Sequence, residues 1–162
     1  MLKVSLLKTV YEKGGLFFRI FQTYSWEQRK LGDVVQITMG QSPDGSTYSD
    51  EPSDYILVQG NADLQNGWVC PQKDTQKTGI CFDGTQVLYG KLRPYLHNWL
   101  NPDFRGVAVG DWWVLRPIGI EKSFLFRLIQ TERFDEVANQ SSGSKMPRAD
   151  WSLVSNTEFV TP

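Results

Sequence analysis

The chain has 162 residues, of which 40% are hydrophobic and 13% are aromatic, so it can bury the core of one domain without disulfides or metal. This composition excludes intrinsic disorder, and no stretch approaches the roughly 18 consecutive apolar residues of a membrane span. The formal net charge of −1 argues against nucleic-acid binding through overall charge, so any such role has to rest on local basic patches.

The N-terminal segment differs in character from the rest of the chain. Residues 1–24 hold Gly14-Gly15 and several aromatic residues with no clear period, and their scattered charges leave no secretory signal. We interpret 1–24 as a leader, or as a junction left where a longer reading frame was cut, and 25–162 as one domain. Cys70 and Cys81 are too few for a disulfide framework, so we predict reduced, mostly buried thiols in a cytoplasmic protein.

The middle of the chain predicts a series of short strands. Leu31–Ser42 is either a short helix or a strand that leads into a glycine turn, and Pro43–Pro52 is a turn-rich loop. Short β-type runs then recur between turn-forming Asn-Gly, Asp-Gly, proline and glycine residues. These runs are Tyr55–Gln59, Trp68–Cys70, Ile80–Phe82, Gln86–Tyr89, Val107–Val109 and Trp112–Leu115.

One long helix is predicted near the C-terminus, over Glu121–Asn139, because its apolar residues recur at helical spacing. The chain then ends in a predicted strand at Trp151–Val154 and a further extended segment, 159–162. The predicted fold class is therefore α+β, with a curved, mainly antiparallel sheet and one long helix near the C-terminus.

Catalytic motifs are incomplete in this sequence. Gly84 and Gly90-Lys91 are spaced wrongly for a phosphate-binding loop, and Asn101-Pro102-Asp103-Phe104 lacks the second proline of an adenine-methyltransferase motif. His97 is the only histidine, so a histidine-based zinc site is excluded, and we expect it to make a structural hydrogen bond at the sheet edge. We predict a protein that is not an enzyme on its own, with no catalytic residues, metal or cofactor.

Two loops in the first half have the composition of a DNA-reading surface, in which cations and backbone amides contact phosphates and amide side chains read base edges. The first loop spans Thr38–Tyr48, and the second holds Asn61, whose amide has the reach to read adenine. Plain solvated turns remain the alternative for both loops. The candidate residues of the first loop are Gly40, Gln41, Ser42 and Tyr48.

Two further segments are basic. Lys91 and Arg93 lie two residues apart, which predicts one face of a strand, where arginine can contact guanine or a phosphate. The turn 143–148 contains Ser144, Lys145 and Arg148 and no acid. The alternatives are surface ion pairs for the first segment and a simple connection for the second.

The sequence also contains six tryptophans. Trp112 and Trp113 are adjacent and point to opposite faces of a predicted strand, so one is expected in the core and the other can be exposed. Tryptophan-rich β domains also bind sugars by ring stacking. A carbohydrate-binding module is therefore a second class of function.

Four segments together resemble the target recognition domain of a type I restriction–modification specificity subunit: 26–32, 87–94, 104–117 and 143–151. The resemblance covers roughly residues 26–162. It implies recognition of one half of a bipartite DNA target for a methyltransferase and endonuclease complex, with double-stranded DNA and the methylation and restriction subunits as partners. It also implies that the turn 143–148 lies near the DNA, so we expect Lys145 and Arg148 to contact phosphates.

The family's specificity subunits hold two such domains joined by long spacer helices, whereas this chain has one domain and no heptad region. This departure puts stable docking to the methylation subunits in doubt. It also leaves open a half subunit that relies on a partner, a non-functional fragment, or a cassette that donates specificity by recombination.

Overall fold

The computed structural model describes residues 25–38, 48–49, 56–59, 74–75, 80–140 and 145–162. The described helices are α1 (Leu31–Val34), α2 (Lys122–Leu128), α3 (Glu132–Ala138) and α4 (Trp151–Asn156), with a 3₁₀ turn at Pro94–Leu96. The described strands are β1 (Glu27–Lys30), β2 (Val35–Thr38), β3 (Tyr48–Ser49), β4 (Ile56–Gln59), β5 (Asp74–Thr75), β6 (Ile80–Phe82), β7 (Val87–Gly90), β8 (Trp99–Leu100), β9 (Gly106–Val109), β10 (Trp112–Pro117) and β11 (Glu158–Thr161).

These strands form three sheets, of four, five and two strands. The four-stranded sheet has the order β2-β10-β7-β8, the five-stranded sheet β3-β5-β4-β9-β6, and β1 pairs with β11. Every described pair is antiparallel except β4 with β9. The prediction of an α+β fold with mainly antiparallel strands is therefore confirmed.

The two central strands of the four-stranded sheet, β7 and β10, are buried on both faces. Along β10, Trp113 and Leu115 belong to one hydrophobic cluster, while Trp112 and Val114 belong to another. Successive side chains of a strand point to opposite faces, so a run that is apolar at every position serves two cores. Trp112 is 3% exposed and Trp113 is 1% exposed. The expectation that one of them can be exposed is wrong, and neither ring is accessible for stacking on a sugar.

The larger cluster lies between the four-stranded sheet and the helices. Tyr89 stacks on Trp113 with ring centroids 5.4 Å apart, and it meets Phe134 of α3 edge-on at 5.3 Å. Burial raises the pKa of the Tyr89 hydroxyl, so this ring is a neutral core residue. The second cluster lies between the two larger sheets, where Val58 and Phe82 meet Val114. β10 is thus the central strand of the described core.

The single long helix predicted over Glu121–Asn139 is wrong, because two short helices, α2 and α3, occupy this region. Thr131 ends the first helix by donating its hydroxyl to the carbonyl of Leu128, and it caps the second by accepting from the N–H of Phe134. The sequence carries a signal for this break. Ile129 and the next apolar residue of the pattern, Phe134, are five positions apart. Apolar residues on one helix face recur three or four positions apart, so Phe134 does not continue the face that ends at Ile129.

The predicted strand at Trp151–Val154 is also wrong, because this segment forms helix α4. Asp150 is the cap that the strand prediction overlooked: its carboxylate accepts from the N–H of Ser152 at 2.8 Å. The extended segment after it is confirmed as β11, which pairs with β1. Arg29 of β1 donates to the hydroxyl of Thr161, and this bond secures the pair.

The positions of the other strands were largely predictable. Ile80–Phe82 has the predicted bounds, and the runs at 55–59, 86–89, 107–109 and 112–115 differ from the observed strands by one or two residues at their ends. The two alternatives for Leu31–Ser42 both occur, as α1 followed by β2. Trp68–Cys70 lies outside the described residues. Cys81 is a free thiol, but it is exposed, so the prediction of a buried thiol is wrong for it.

Candidate nucleic-acid interface

The two basic segments predicted from the sequence lie side by side. The N–H of Arg93 donates to the carbonyl of Pro147 at 2.7 Å, and the N–H of Ala149 donates to the carbonyl of Lys91 at 2.8 Å. Leu92 and Arg148 form an antiparallel bridge between these bonds. Segments more than fifty positions apart in the sequence are therefore joined by backbone hydrogen bonds into one surface. We call Lys91, Arg93, Lys145 and Arg148 the basic patch.

The backbone around Arg93 departs from the predicted strand. β7 ends at Gly90, and Arg93 has a φ of +50°, in the left-handed region that non-glycine residues rarely adopt. The prediction that Lys91 and Arg93 share one face of a strand is therefore wrong. The bond to Pro147 and a bond from the N–H of Leu96 to the Arg93 carbonyl hold this conformation. Its result is a sharp turn that presents the exposed Arg93 side chain.

Arg148 is engaged by a carboxylate that the sequence analysis did not single out. Its Nε and Nη2 atoms lie 2.9 and 3.1 Å from the two oxygens of Asp111, a two-point contact, and Lys91 Nζ lies 4.0 Å from the same carboxylate. The hydrogen bonds that Arg148 donates to Asp111 raise the pKa of its guanidinium above the ordinary value. The only sequence signal for Asp111 is the Gly110-Asp111 turn, in which Gly110 has a φ of +97°.

The other two cations of the basic patch have a different environment. Arg93 and Lys145 are both exposed, and within the described part of the chain neither side chain has an ion pair or a hydrogen bond. Two large side chains beside them are also exposed, Tyr95 at 53% and Met146 at 46%. This surface therefore combines unneutralised cations with accessible aromatic and thioether groups.

An open cleft of about 700 Å³ adjoins the basic patch. Its lining includes the cations Lys91 and Arg148 together with Asp150, Trp151 and Ser152 of the α4 segment. Because the Arg148 side chain lines this open cleft and is 49% exposed, an anion can reach it from solvent.

His97 has the structural role expected from the sequence. Its Nε2 atom lies 3.0 Å from a carboxylate oxygen of Asp135, and its ring stacks on Trp99 with centroids 5.0 Å apart. These contacts tie the connection between β7 and β8 to helix α3. They thereby support the connection that carries Arg93.

The remaining predicted site residues receive less support. Tyr48 lies in β3, where its backbone pairs with Thr75 of β5. Five others lie outside the described residues: Gly40, Gln41, Ser42, Asn61 and Ser144. The candidate site therefore rests on the basic patch, with Tyr95, Met146 and Asp111 as the residues that sequence reasoning missed or left unassigned.

A second charged cluster lies at the far end of β10. Arg116 pairs with Asp83 at 3.5 Å, and the ammonium of Lys122 donates to the carbonyls of Gly84, at 2.7 Å, and Pro102. Hydrogen bonds from Thr85 are the main reason that the pKa of Asp83 is lowered. Burial lowers the pKa of Lys122, and Asp103 and Asp83 offset part of that effect. Here the cations bind protein groups, so this cluster joins loops.

Two kinds of feature are absent from the described ranges. No three histidine, cysteine or acidic side chains there come close enough together to hold a metal ion. None of the helices in those ranges combines the length and apolar character needed to cross a bilayer.

No protein-family model and no curated protein sequence matches the chain. Solved structures do. A chain from a structure of an assembled type I restriction–modification system superposes with a TM-score of 0.69 at 20% identity, over 97% of this chain and 38% of that one. The HsdS subunit from Thermoanaerobacter tengcongensis gives a TM-score of 0.65 at 22% identity, over 85% of this chain and 33% of the subunit.

The S subunit of a type I system from M. genitalium gives a TM-score of 0.59 at 13% identity, over 84% of this chain and 34% of the subunit. This chain has the fold of one portion of type I specificity subunits. The fold that the sequence resemblance implied is therefore confirmed. The chain spans about a third of the length of the solved subunits that it matches.

Proposed function

We propose that residues 25–162 form one target recognition domain, which reads one half of a bipartite DNA sequence for a type I restriction–modification complex. The observation that carries the proposal is the backbone pairing of segments 91–93 and 147–149, which gathers four cations on one surface. That surface belongs to a fold shared with solved S subunits. A cationic surface supplies the phosphate contacts that position a protein on a duplex.

The proposed contacts divide into two kinds. Lys91, Arg93, Lys145 and Arg148 bind phosphates, which gives affinity and register, while side-chain amides read base edges, which gives specificity. Gln41 and Asn61 supply the amides in this proposal, and Arg93 has the reach to contact guanine as well. The remaining proposed contacts are Gly40, Ser42 and Ser144, whose small side chains let the backbone approach the duplex, and Tyr48, which lies in β3 and not in a loop.

Catalysis is assigned to other subunits in this proposal. The domain works in the cytoplasm as a non-catalytic reader, and the methylation and restriction subunits of the complex carry out the chemistry. The support for this division is the fold, because the solved counterparts are S subunits of type I systems. It is tested by adding methylation subunits to the chain and measuring methyl transfer to DNA.

The direct test of sequence reading is a selection from a randomised duplex pool at low salt, followed by sequencing of the bound fraction. We expect enrichment of one short motif, and loss of that enrichment when Gln41, Asn61 and Arg93 are replaced together by alanine. Ile118→Ala, at an exposed position beyond β10, serves as the control variant. Binding with no enriched motif would contradict sequence recognition by this chain, and unchanged enrichment in the triple variant would assign the reading to other residues.

A further inference from the structure

We propose that Asp111 sets the affinity of the basic patch for DNA, because it occupies two of the patch cations until a phosphate displaces it. This inference rests on the proposed function, since it assumes that the patch faces the duplex. It adds an acidic residue to the interface, and the role of that residue is to weaken binding to DNA of any sequence.

The contact geometry is that of an anion already bound. The two oxygens of Asp111 meet Nε and Nη2 of Arg148 at 2.9 and 3.1 Å, and two phosphate oxygens can make the same two-point contact with a guanidinium. Lys91 lies 4.0 Å from the same carboxylate. Asp111 therefore occupies the position on Arg148 that a phosphate would take.

The pair is accessible to an incoming phosphate. The side chains of Arg148 and Asp111 are 49% and 28% exposed, and Arg148 lines the open cleft. Exposed ion pairs are weak in water, so a phosphate can displace the Asp111 carboxylate at small cost. The presence of Asp111 therefore raises the dissociation constant for DNA only several-fold. Binding is then attenuated and not blocked.

The pair is not needed to hold the segment in place. The bridge of Leu92 with Arg148 and the bond from Ala149 to Lys91 already tie the two backbones together. Arg93 and Lys145 are without any carboxylate partner among the described residues. Asp111 therefore acts on half of the basic patch and leaves the other half available for a first encounter with DNA.

The test compares Asp111→Asn with Asp83→Asn in the full chain. Each variant replaces a carboxylate that pairs with an arginine by an uncharged amide, and so removes one negative charge. The two carboxylates lie at opposite ends of β10. Affinity for a random-sequence duplex is measured by fluorescence anisotropy at several salt concentrations. We expect Asp111→Asn to bind about three- to tenfold more tightly near 0.1 M salt, with the gain shrinking as salt rises. Asp83→Asn should bind as the wild type does.

A second measurement separates displacement from a general change of charge. In an Arg148→Gln, Lys91→Gln background, Asp111→Asn should lose most of its effect, because the cations that it releases are gone. An equal gain in that background, or an equal gain from Asp83→Asn, would overturn the inference.

The failure of this inference can be told from the failure of the proposed function. Wild-type binding that Asp111→Asn leaves unchanged would overturn the inference alone. Binding by Asp111→Asn without detectable wild-type binding would support it. Absence of binding to any duplex by either protein, even at the lowest salt, would overturn both.

Discussion

The two ends of β10 carry the same kind of ion pair in opposite settings. At one end Asp83 pairs with Arg116, beside a lysine whose ammonium donates to two loop carbonyls. At the other end Asp111 pairs with Arg148, beside further cations that have no carboxylate of their own within the described ranges. A strand of six residues separates these ends by about 17 Å.

In the proposed function, an interface is distinguished by an excess of cations over their carboxylate partners, which the basic patch has among the described residues and the cluster around Asp83 does not. Lys122 is half-buried and bonded to the protein, so its charge stabilises loops. Arg93 and Lys145 are exposed, so their charges are available to an anion from outside. A net charge of −1 for the whole chain is compatible with this arrangement, because phosphates respond to the local field.

The largest expected effect comes from truncating a core side chain of β10, the strand that joins the two ends. Trp113 is buried against Tyr89 and Trp151, so Trp113→Ala should lower the free energy of unfolding by about 3–5 kcal/mol. Chemical denaturation followed by circular dichroism measures it. The control is Ile118→Ala, which is half-exposed and should cost less than about 0.5 kcal/mol. Equal losses in the two variants would contradict the assignment of β10 to the core.

A smaller effect is expected where the core meets the loop of the basic patch. A Cβ at Gly90 would lie 2.7 Å from Cβ of Asn98 and 3.1 Å from its carbonyl oxygen, and Asn98 is buried. Gly90→Ala should therefore push the β7–β8 connection outward and cost about 1–3 kcal/mol in unfolding free energy. DNA affinity should fall with it, because Arg93 lies on that connection. A variant with wild-type stability would show that the contact relaxes freely.

Lys122→Met tests the other end of β10. The variant leaves the carbonyls of Gly84 and Pro102 without their donor, which should cost about 1–3 kcal/mol in unfolding free energy. Affinity for DNA at a temperature well below the melting point should stay within about twofold of wild type, since this end is outside the proposed interface. A large loss of DNA affinity with little loss of stability would reverse the roles of the two ends.

The smallest expected effect is a pH dependence at Asp83. Its pKa is lowered in the folded chain, so its stabilising contribution is complete above its ordinary value of 3.8 and is lost as the pH falls below that value toward the folded pKa. Because the side chain is 57% exposed, the contribution should stay below about 1 kcal/mol. The difference in unfolding free energy between wild type and Asp83→Asn should therefore shrink on acidification. A difference that stays constant with pH would contradict this account.

Short β-type runs separated by turn-forming residues predicted most of the strands. The runs at 86–89 and 112–115 predicted the central strands. The expectation that either Trp112 or Trp113 can be exposed was wrong because it assumed a sheet with only one buried face. The helix errors have local causes. Thr131 and Asp150 are capping residues, and each begins a helix that the apolar pattern alone does not delimit.

The candidate site was only partly predictable. The sequence singled out Lys91, Arg93, Lys145 and Arg148 by charge, but their grouping depends on an antiparallel bridge between distant segments. The only sequence signal for Asp111 is the Gly110-Asp111 turn, and a lone aspartate in such a turn looks like any other turn residue. Its partner becomes apparent only when β10 and the segment around Arg148 are seen side by side.

The most direct test of the central claim, that the basic patch is the DNA-binding end of the molecule, is the salt dependence of DNA affinity in two charge-matched variants. One carries Arg93→Gln with Lys145→Gln. The other carries Arg116→Gln with Arg127→Gln, two exposed arginines outside the basic patch, of which Arg127 lies in the last turn of α2. The slope of log affinity against log salt concentration is negative. We predict that the first variant reduces its magnitude by about 1–2, as expected for the loss of one or two phosphate contacts, and that the second variant leaves it near the wild-type value. Equal slopes in the two variants, or a larger loss in the second, would contradict the account.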